Sequence, residues 1–283
     1  MPPRSNPTAR QERLGSELKK LRQRAGLTAR EAAELLGVDQ AKISHLEAGR
    51  AQVSEERIRR LASHCASDDT DLIDALVAMA TERVRGWWEK YRGTLPSGFL
   101  DLAEAEYHAS AVRTIKITDI PGIMQTEAHA RGVFHYIVPA LTSEELEARV
   151  THRMQRRTAL LDGDSPPDVK AVLHEAALRM MVGGATTTRE QLTFLLELSE
   201  RPGIEIRIVR PAGGFAGTGW SMLHLLGPVP QLDSIHLDTP MSGIFLDAEA
   251  QLNKYRTLFS KARKASLGPQ QSRDLIHRIL KTV

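Results

Sequence analysis

The pattern of hydrophobic and polar positions predicts a helical region over the first eighty or so residues. Leu14, Leu18 and Leu21 recur at spacings of four and three, which places them on one face of a first helix that ends at Gly26. Apolar residues repeat in the same way in four further short segments. These segments lie at 28–36, 39–48, 54–62 and 68–80. The sequence therefore predicts an all-α domain of five helices.

From about residue 100 onward, helical segments alternate with extended ones. Branched and alternating apolar residues predict strands at 111–117, 169–173, 204–208, 220–226, 234–238 and 243–246. Helices are predicted from 126, from 142, and at 188–200, 247–264 and 272–281. Thr188, with Gln191 three residues later, is the expected cap of the third of these. Because the last four strands follow one another closely, antiparallel pairing is favoured. We therefore expect an α+β domain with a mostly antiparallel sheet.

The joint between the two regions contains three aromatic residues, Trp87, Trp88 and Tyr91. The pattern of the fifth helix continues past Ala80 through these residues and ends at Gly93. The aromatic residues are compatible with packing between domains, a dimer surface or the wall of a ligand site.

Between residues 28 and 50 the spacing is typical of a helix-turn-helix pair. Thr28 and Glu31 form a predicted capping box at the start of the second helix. Gly37 stands where the chain needs a positive φ to turn sharply. Ile43 and Leu46, three residues apart, face the core from the third helix. The opposite side of that helix then carries Gln40, Ala41, Ser44 and His45.

This pattern resembles the lambda-repressor-like, or XRE, family of helix-turn-helix transcription regulators. The matching residues are Arg22, Gly26-Leu27-Thr28, Ile43-Ser44, Leu46-Glu47 and Gly49-Arg50. The resemblance implies binding to double-stranded DNA, with the third helix in the major groove. It also implies a homodimer on a palindromic operator, because one such module makes few contacts.

The resemblance gives each exposed residue of the helix pair an expected role. Gln40 and His45 are expected to read base edges, and Ala41 to contact a thymine methyl group. Phosphate contacts are expected from Thr28, Arg30, Lys42, Ser44 and Arg50. In this family the arginine and glutamate at the positions of Arg22 and Glu47 form a structural ion pair. We expect that pair to link the first helix to the third.

Composition and charge are consistent with this interpretation. Hydrophobic residues make up 41% and charged residues 26% of the 283 residues, which is ordinary for a globular protein. The net charge of +3 conceals an asymmetry, because residues 1–66 carry 13 Lys and Arg against 8 Asp and Glu. A basic head is typical of a nucleic-acid-binding protein. A membrane span and a secretory signal are not expected, so the protein is predicted to be cytoplasmic.

Three strings in the second region resemble the C-terminal domain of unknown function that follows this helix-turn-helix in many actinobacterial regulators. The strings lie at 120–127, 174–179 and 204–211. The chain departs mildly from that family at Ile123-Met124, where Leu-Leu is usual. The resemblance implies a cognate partner, since such regulators often occur beside a gene for a small protein. The predicted domains are a flexible arm at 1–12, the DNA-binding domain at 13–80, a helical linker at 81–99 and a regulatory or partner-binding domain at 100–283.

Enzymatic and metal-binding motifs are present only as fragments. The glycine-rich segment 210–219 follows a strand but lacks the Lys-Ser/Thr of a phosphate-binding loop, so residues 213–219 are interpreted as a mobile loop that could line a pocket. His224, His236 and Asp238 could converge if their strands pair, although a chance occurrence is the simpler interpretation. The single cysteine, Cys65, excludes a disulfide within the chain and is expected to be a small buried hydrophobe. We therefore predict no enzyme activity, cofactor or metal.

A run of arginines follows the predicted cap at Thr142. Arg149, Arg153, Arg156 and Arg157 fall mostly on one helix face. A solvated face is the simpler interpretation, and a site for an anion or an acidic partner is the alternative.

The sequence as a whole predicts a dimeric, sequence-specific transcription regulator whose C-terminal domain senses a small-molecule effector or binds a partner. The alternative is an antitoxin-like protein that binds a small cognate protein and represses its own operon.

Overall fold

The computed structural model describes residues 6–64, 69–82, 85–213, 222–239 and 243–283. Several sequence predictions lie outside these residues, namely those for Cys65, for the start of the N-terminal arm and for the glycine-rich loop from 214 to 219. The chain forms two compact units. Unit 1 comprises residues 1–87 together with 228–232, and unit 2 comprises 88–227 and 233–283.

Unit 1 contains the five predicted helices. They are α1 (Ala9–Arg24), α2 (Ala29–Leu36), α3 (Gln40–Glu47), α4 (Glu55–His64) and α5 (Thr70–Thr81). Side-chain oxygens of Thr8, Thr28, Asp39 and Asp69 accept from backbone N–H groups in the first turns of α1, α2, α3 and α5. The five-helix prediction is confirmed.

The core of unit 1 contains residues that are distant in sequence from its helices. Leu21, Ile58 and Leu76 are fully buried in it, and Leu232 belongs to the same cluster. Residues 228–232 come from the connection between two strands of unit 2. The guanidinium group of Arg13 donates to the carbonyl of Gln231, and Nε2 of Gln231 donates to Oδ2 of Asp69 at 2.7 Å. The helical bundle is therefore completed by a short segment from far along the chain.

The predicted continuation of the fifth helix past Ala80 is wrong. α5 ends at Thr81, because Glu82 has an extended backbone with ψ of 130°. The aromatic residues lie instead in a short 3₁₀ helix at Trp87–Tyr91. Trp88 and Tyr91 are buried, and the hydroxyl of Tyr91 donates to Oε1 of Gln155 at 3.0 Å. These two side chains therefore pack inside unit 2, and the three interpretations of the aromatic residues stay predictions.

Unit 2 is built on a six-stranded sheet. Its strands are β1 (Ala111–Lys116), β2 (Asp168–His174), β3 (Ile204–Val209), β4 (Met222–Leu226), β5 (Ser234–Asp238) and β6 (Gly243–Leu246). Their order across the sheet is β3-β2-β1-β4-β5-β6. β1 pairs parallel with β2, and β2 with β3, whereas the other three pairings are antiparallel. The predicted α+β domain with a mostly antiparallel sheet is confirmed.

Helices cover both faces of this sheet. They are α6 (Ser97–Tyr107), α7 (Glu127–His135), α8 (Ser143–Leu161), α9 (Glu175–Arg179), α10 (Ala185–Glu200), α11 (Glu249–Ala265) and α12 (Pro269–Leu280). Alternate strand residues serve the two faces, so that Leu173 packs in a cluster with α10 and α12, and Val172 in one with α11. None of the described helices is long and apolar enough to cross a membrane.

The predicted cap of the helix near residue 188 is also wrong. α10 begins at Ala185 after Gly184, so Thr188 lies inside the helix. The hydroxyl of Thr188 donates a hydrogen bond to the carbonyl of Gly184 at 2.9 Å. Gln191 is buried, where it donates to the carbonyl of Met124 and accepts from the N–H of Thr126. Gln191 thus holds a distant turn rather than its own helix end.

Candidate nucleic-acid interface

The turn between α2 and α3 has the geometry that the sequence predicts. Gly37 ends α2 in the left-handed region, with φ of +63°. The N–H of Val38 then donates to the carbonyl of Ala33 at 3.0 Å, which closes the end of the helix. Ala33 is buried in the core that α2 and α3 share, where its small side chain allows a close approach.

α3 has one buried and one exposed side. Its Ile43 and Leu46 are buried in the core of unit 1. On the other side Gln40, Ala41 and Ser44 are exposed, whereas Lys42 and His45 are half-buried. The structure therefore brings the predicted base-reading residues onto one helix, with Gln40 and Ala41 fully presented to solvent.

Two of the predicted phosphate-binding cations have no carboxylate partner. Lys42 and Arg50 make no ion pair within the described part of the chain, and Arg50 is exposed. Arg30 pairs with Glu34 at 3.2 Å, but both side chains are exposed. Such surface pairs contribute little and exchange readily for another anion. All three cations are thus accessible to a phosphate backbone.

The hydroxyl of Thr28 already has a partner. Its oxygen accepts from the N–H of Glu31 at 3.2 Å, and both Oγ1 and the backbone N–H of Thr28 donate to Oε2 of Glu31 at 2.7 Å. These bonds hold the pKa of Glu31 below its usual value. Thr28 therefore serves first as the N-cap of α2, and its phosphate contact stays a prediction.

An ion pair and two glycines fix α3 against α1. Nε and Nη2 of Arg22 lie 2.5 and 3.1 Å from the two carboxylate oxygens of Glu47, and Nη1 donates to the carbonyl of Leu27. The hydrogen bond to Glu47 raises the pKa of Arg22. A Cβ at Gly15 would lie 2.6 Å from the carbonyl oxygen of Glu47, and one at Gly49 would meet the backbone of α1 at 2.7 Å. Sequence reasoning missed this close approach, although a glycine inside an amphipathic helix is the signal that points to one.

The arginine run on α8 does not form a solvated face, so the simpler interpretation is wrong. Arg156 is buried and lies 2.9 Å from Oε2 of Glu106. The guanidinium group of Arg153 stands over the ring of Phe134 at 4.0 Å. The charges turn inward because this face of α8 packs against α6, α7 and the turn before α7. The sequence pattern predicted that these arginines share one face of α8, but not that this face points into unit 2.

His224, His236 and Asp238 do not converge as a metal site. Leu223 is the register partner of His236, so His224 points to the opposite face of the sheet. Nε2 of His224 lies 2.9 Å from Oδ2 of Asp233. Within the described residues, no group of three metal-ligating side chains occurs.

Four histidines are buried in the described part of unit 2, namely His129, His152, His224 and His236. We refer to the three other than His224 as the buried histidines. Burial lowers the pKa of His129 to about 4, that of His152 to about 3 and that of His236 to about 4. They are therefore neutral at physiological pH.

A helix pair that exposes a polar stripe beside accessible cations defines a DNA-binding helix-turn-helix domain. A family model described as a helix-turn-helix domain matches residues 13–76, and one described as a domain of unknown function, DUF5753, matches residues 99–278. The second match covers more than half of the chain, which therefore belongs to the DUF5753 family and carries an XRE-like helix-turn-helix domain. No curated protein and no solved structure matches the chain significantly.

Proposed function

We propose that this protein is a non-enzymatic, sequence-specific transcription regulator that binds a palindromic operator as a homodimer. Residues 13–80 form its DNA-binding head, and residues 100–283 sense an effector or bind a partner. The observation that carries the proposal is the exposed side of α3, where Gln40, Ala41 and Ser44 stand opposite the buried Ile43 and Leu46.

On this surface, different residues are expected to recognise the base sequence and to bind the phosphate backbone. The amide of Gln40 has the donor and acceptor that match N7 and N6 of adenine, and His45 offers a ring nitrogen. Lys42 and Arg50 provide charge without sequence preference, as does Arg30. A single α3 reads only a few base pairs, which supports binding by two copies to two half-sites one helical turn apart.

Genome-wide footprinting of the bound protein, followed by titration of the recovered operator, tests this proposal. Lys42→Ala should weaken binding to all sequences and reduce the slope of log K against log salt by about 0.9, the value for one phosphate contact. Gln40→Ala should instead change which bases are preferred. The exposed Lys261 and Gln251 on α11 provide matched controls, and neither K261A nor Q251A should alter affinity or preference.

Two outcomes would contradict the proposal. If Gln40→Ala left both affinity and base preference unchanged, α3 would not be the reading helix. A footprint without two-fold symmetry would exclude the dimer on a palindrome.

One observation favours the partner-binding, antitoxin-like alternative. Tyr136 and Val138, which follow α7, are 74% and 91% exposed, and Met181 is 56% exposed. These segments adjoin, since a Cβ at Gly132 in α7 would lie 2.9 Å from Cγ1 of Val182. Exposed apolar side chains on adjoining segments are typical of protein-binding surfaces.

Affinity purification from the native cell tests the alternative. A stoichiometric small protein that is retained by the wild-type chain and lost in Val138→Asp would support it. If the chain is purified without a partner and a small molecule releases it from the operator, the result would support the proposal that unit 2 senses an effector.

A further inference from the structure

Six ionisable side chains of unit 2 lie close together beside the carboxyl-terminal ends of β1 and β5. This charged cluster consists of Glu106 on α6, Lys116 on β1, Asp119 after β1, Arg153 and Arg156 on α8, and Asp238 on β5. Glu106 is only 2% exposed, and Lys116 and Arg156 are also buried. Charged groups are rarely buried unless each has a partner of opposite sign. The pairing within the cluster therefore decides whether it is complete.

Lys116 is fully partnered. Its Nζ lies 2.9 Å from Oδ2 of Asp119 and 2.9 Å from Oδ2 of Asp238. The two aspartates therefore share this ammonium group. The carboxylate beside Arg156 is that of Glu106, and Arg153 lies near Asp238, Asp119 and Glu106.

The arginine pair is poorly satisfied by Glu106. Nε of Arg156 is 2.9 Å from Oε2 of Glu106, but the orientation is not that of a hydrogen bond, and both oxygens of Glu106 are buried without a donor in the described part of the chain. Arg153 donates from Nη1 to Oε1 of Gln125 at 2.6 Å, whereas its buried Nε has no acceptor among the described residues. A buried donor without an acceptor is costly, so this arrangement favours a further ligand.

The two guanidinium groups lie side by side over a glycine. A Cβ at Gly122 would be 2.8 Å from Nη2 of Arg156 and 3.5 Å from Nε of Arg153. Burial, together with the charge of Arg156, lowers the pKa of Arg153 to about 9. A side chain at this position would collide with Arg156, so glycine lets the backbone lie directly beside both planar groups. A bridging anion would relieve the repulsion between them.

We propose that Arg153 and Arg156 bind the carboxylate group of a small organic acid in unit 2. Planar guanidinium groups suit a planar carboxylate, and the ring of Phe134 beneath Arg153 provides an apolar wall for an organic body. His129 is buried nearby, and its two ring nitrogens have no partner in the described residues, so it can donate to or accept from the ligand. The use of this acid as a regulatory signal rests on the proposed function, whereas its binding does not.

The charge of the cluster favours a ligand with a single negative charge. Three cations face the two aspartates and Glu106. Burial raises the pKa of Glu106 to about 7, so this side chain is largely neutral below that pH and one positive charge is left uncompensated. A monoanion restores neutrality. The cluster reaches solvent through Asp119 and Asp238, whose side chains are 39% and 60% exposed.

Titration of the full chain with sodium acetate and sodium benzoate, at constant ionic strength, tests the proposal through thermal unfolding and calorimetry. Both salts should raise Tm in a saturable manner, because they bind the native state. Arg153→Gln should raise the half-saturating concentration about tenfold or more, as expected for a lost charge-assisted contact. Arg149→Gln is the matched control on the same helix and should change it less than about twofold.

Glu106→Gln gives a result that damage to the fold would not produce. At pH 8, where Glu106 is ionised, this substitution removes the competing negative charge at equal size, so acetate and benzoate should bind more tightly. Absence of saturable binding, an unchanged affinity in R153Q or weaker binding in E106Q would overturn the proposal. Equal binding of inorganic phosphate or sulfate at this site would overturn the assignment to a carboxylate. Operator binding should be weakened in K42A, whereas acetate binding should be unchanged. This result would show that failure of the DNA-binding proposal and failure of the carboxylate-site proposal can be told apart.

Discussion

Gly15→Ala tests whether α1 and α3 approach each other as closely as the structure shows. The added methyl group would lie 2.6 Å from the carbonyl oxygen of Glu47 and 2.7 Å from both the carbonyl oxygen of Leu46 and the N–H nitrogen of Gly49. Ordinary carbon contacts are about 3.5–4 Å. Because all three neighbours are backbone atoms, no side chain can rotate away, and the end of α3 has to move by roughly 1 Å.

Two opposing effects determine the magnitude. Alanine favours a helix interior over glycine by about 1 kcal/mol. Overpacking against backbone costs about 1–3 kcal/mol. We therefore expect a net loss of up to about 2 kcal/mol in the free energy of unfolding of unit 1, together with weaker operator binding because the end of α3 is displaced.

Urea unfolding followed by circular dichroism, with hydrogen exchange at the amides of α1 and α3, measures this loss. The matched control is Ser16→Ala in the same helix, which improves helix propensity without adding an atom near α3. It should stabilise unit 1 by a few tenths of a kcal/mol. Equal stabilisation by G15A and S16A would show that the close approach does not exist in solution.

Three further predictions concern stability. The buried histidines have lowered pKa values, so their contribution to stability is complete above about pH 6.5 and is lost as the pH falls towards 4. Glu106 has a raised pKa and therefore adds stability over much of the same pH range, which leaves a net loss on the order of 2–3 kcal/mol per pH unit near pH 5.5. A urea midpoint that does not decrease when the pH is lowered from 6.5 to 5 would contradict this prediction. Gln191→Leu should lower the free energy of unfolding by about 2–4 kcal/mol, because the carbonyl of Met124 and the N–H of Thr126 lose their hydrogen-bond partner. Calorimetry should show a lower Tm for unit 2, and an unchanged Tm would show that Gln191 does not hold this turn. Leu232→Ala should cost unit 1 about 2–4 kcal/mol through a cavity in its core, and a loss seen only in unit 2 would show that this leucine does not belong there.

Much of the fold could be predicted because its signals are local. The helices of unit 1 follow from apolar spacing and from caps such as Asp39, and the strands follow from alternating apolar residues. The exposed face of α3 is equally local, since the burial of Ile43 fixes which side chains point outward. Such features depend on residues within one or two turns of each other.

What could not be predicted depends on distant contacts. A capping box and a mid-helix pair have the same spacing, so nothing near Gln191 shows that its amide holds the turn at Met124. The spacing of the arginines on α8 does not show whether they face solvent or the interior, because that depends on the packing of α6 and α7 against this helix. Long-range placement of polar groups is therefore the part of this protein that needed a structure.

The segment at 228–232 has a consequence for the order in which the protein folds during synthesis. The helices of unit 1 leave the ribosome before unit 2, but Leu232, which completes their core, follows about 150 residues after the end of α5. At ordinary rates of translation that interval is on the order of ten seconds. During this time the nascent head lacks a core side chain and the bond from Gln231 to Asp69. The head therefore reaches its full stability only after most of unit 2 has been synthesised.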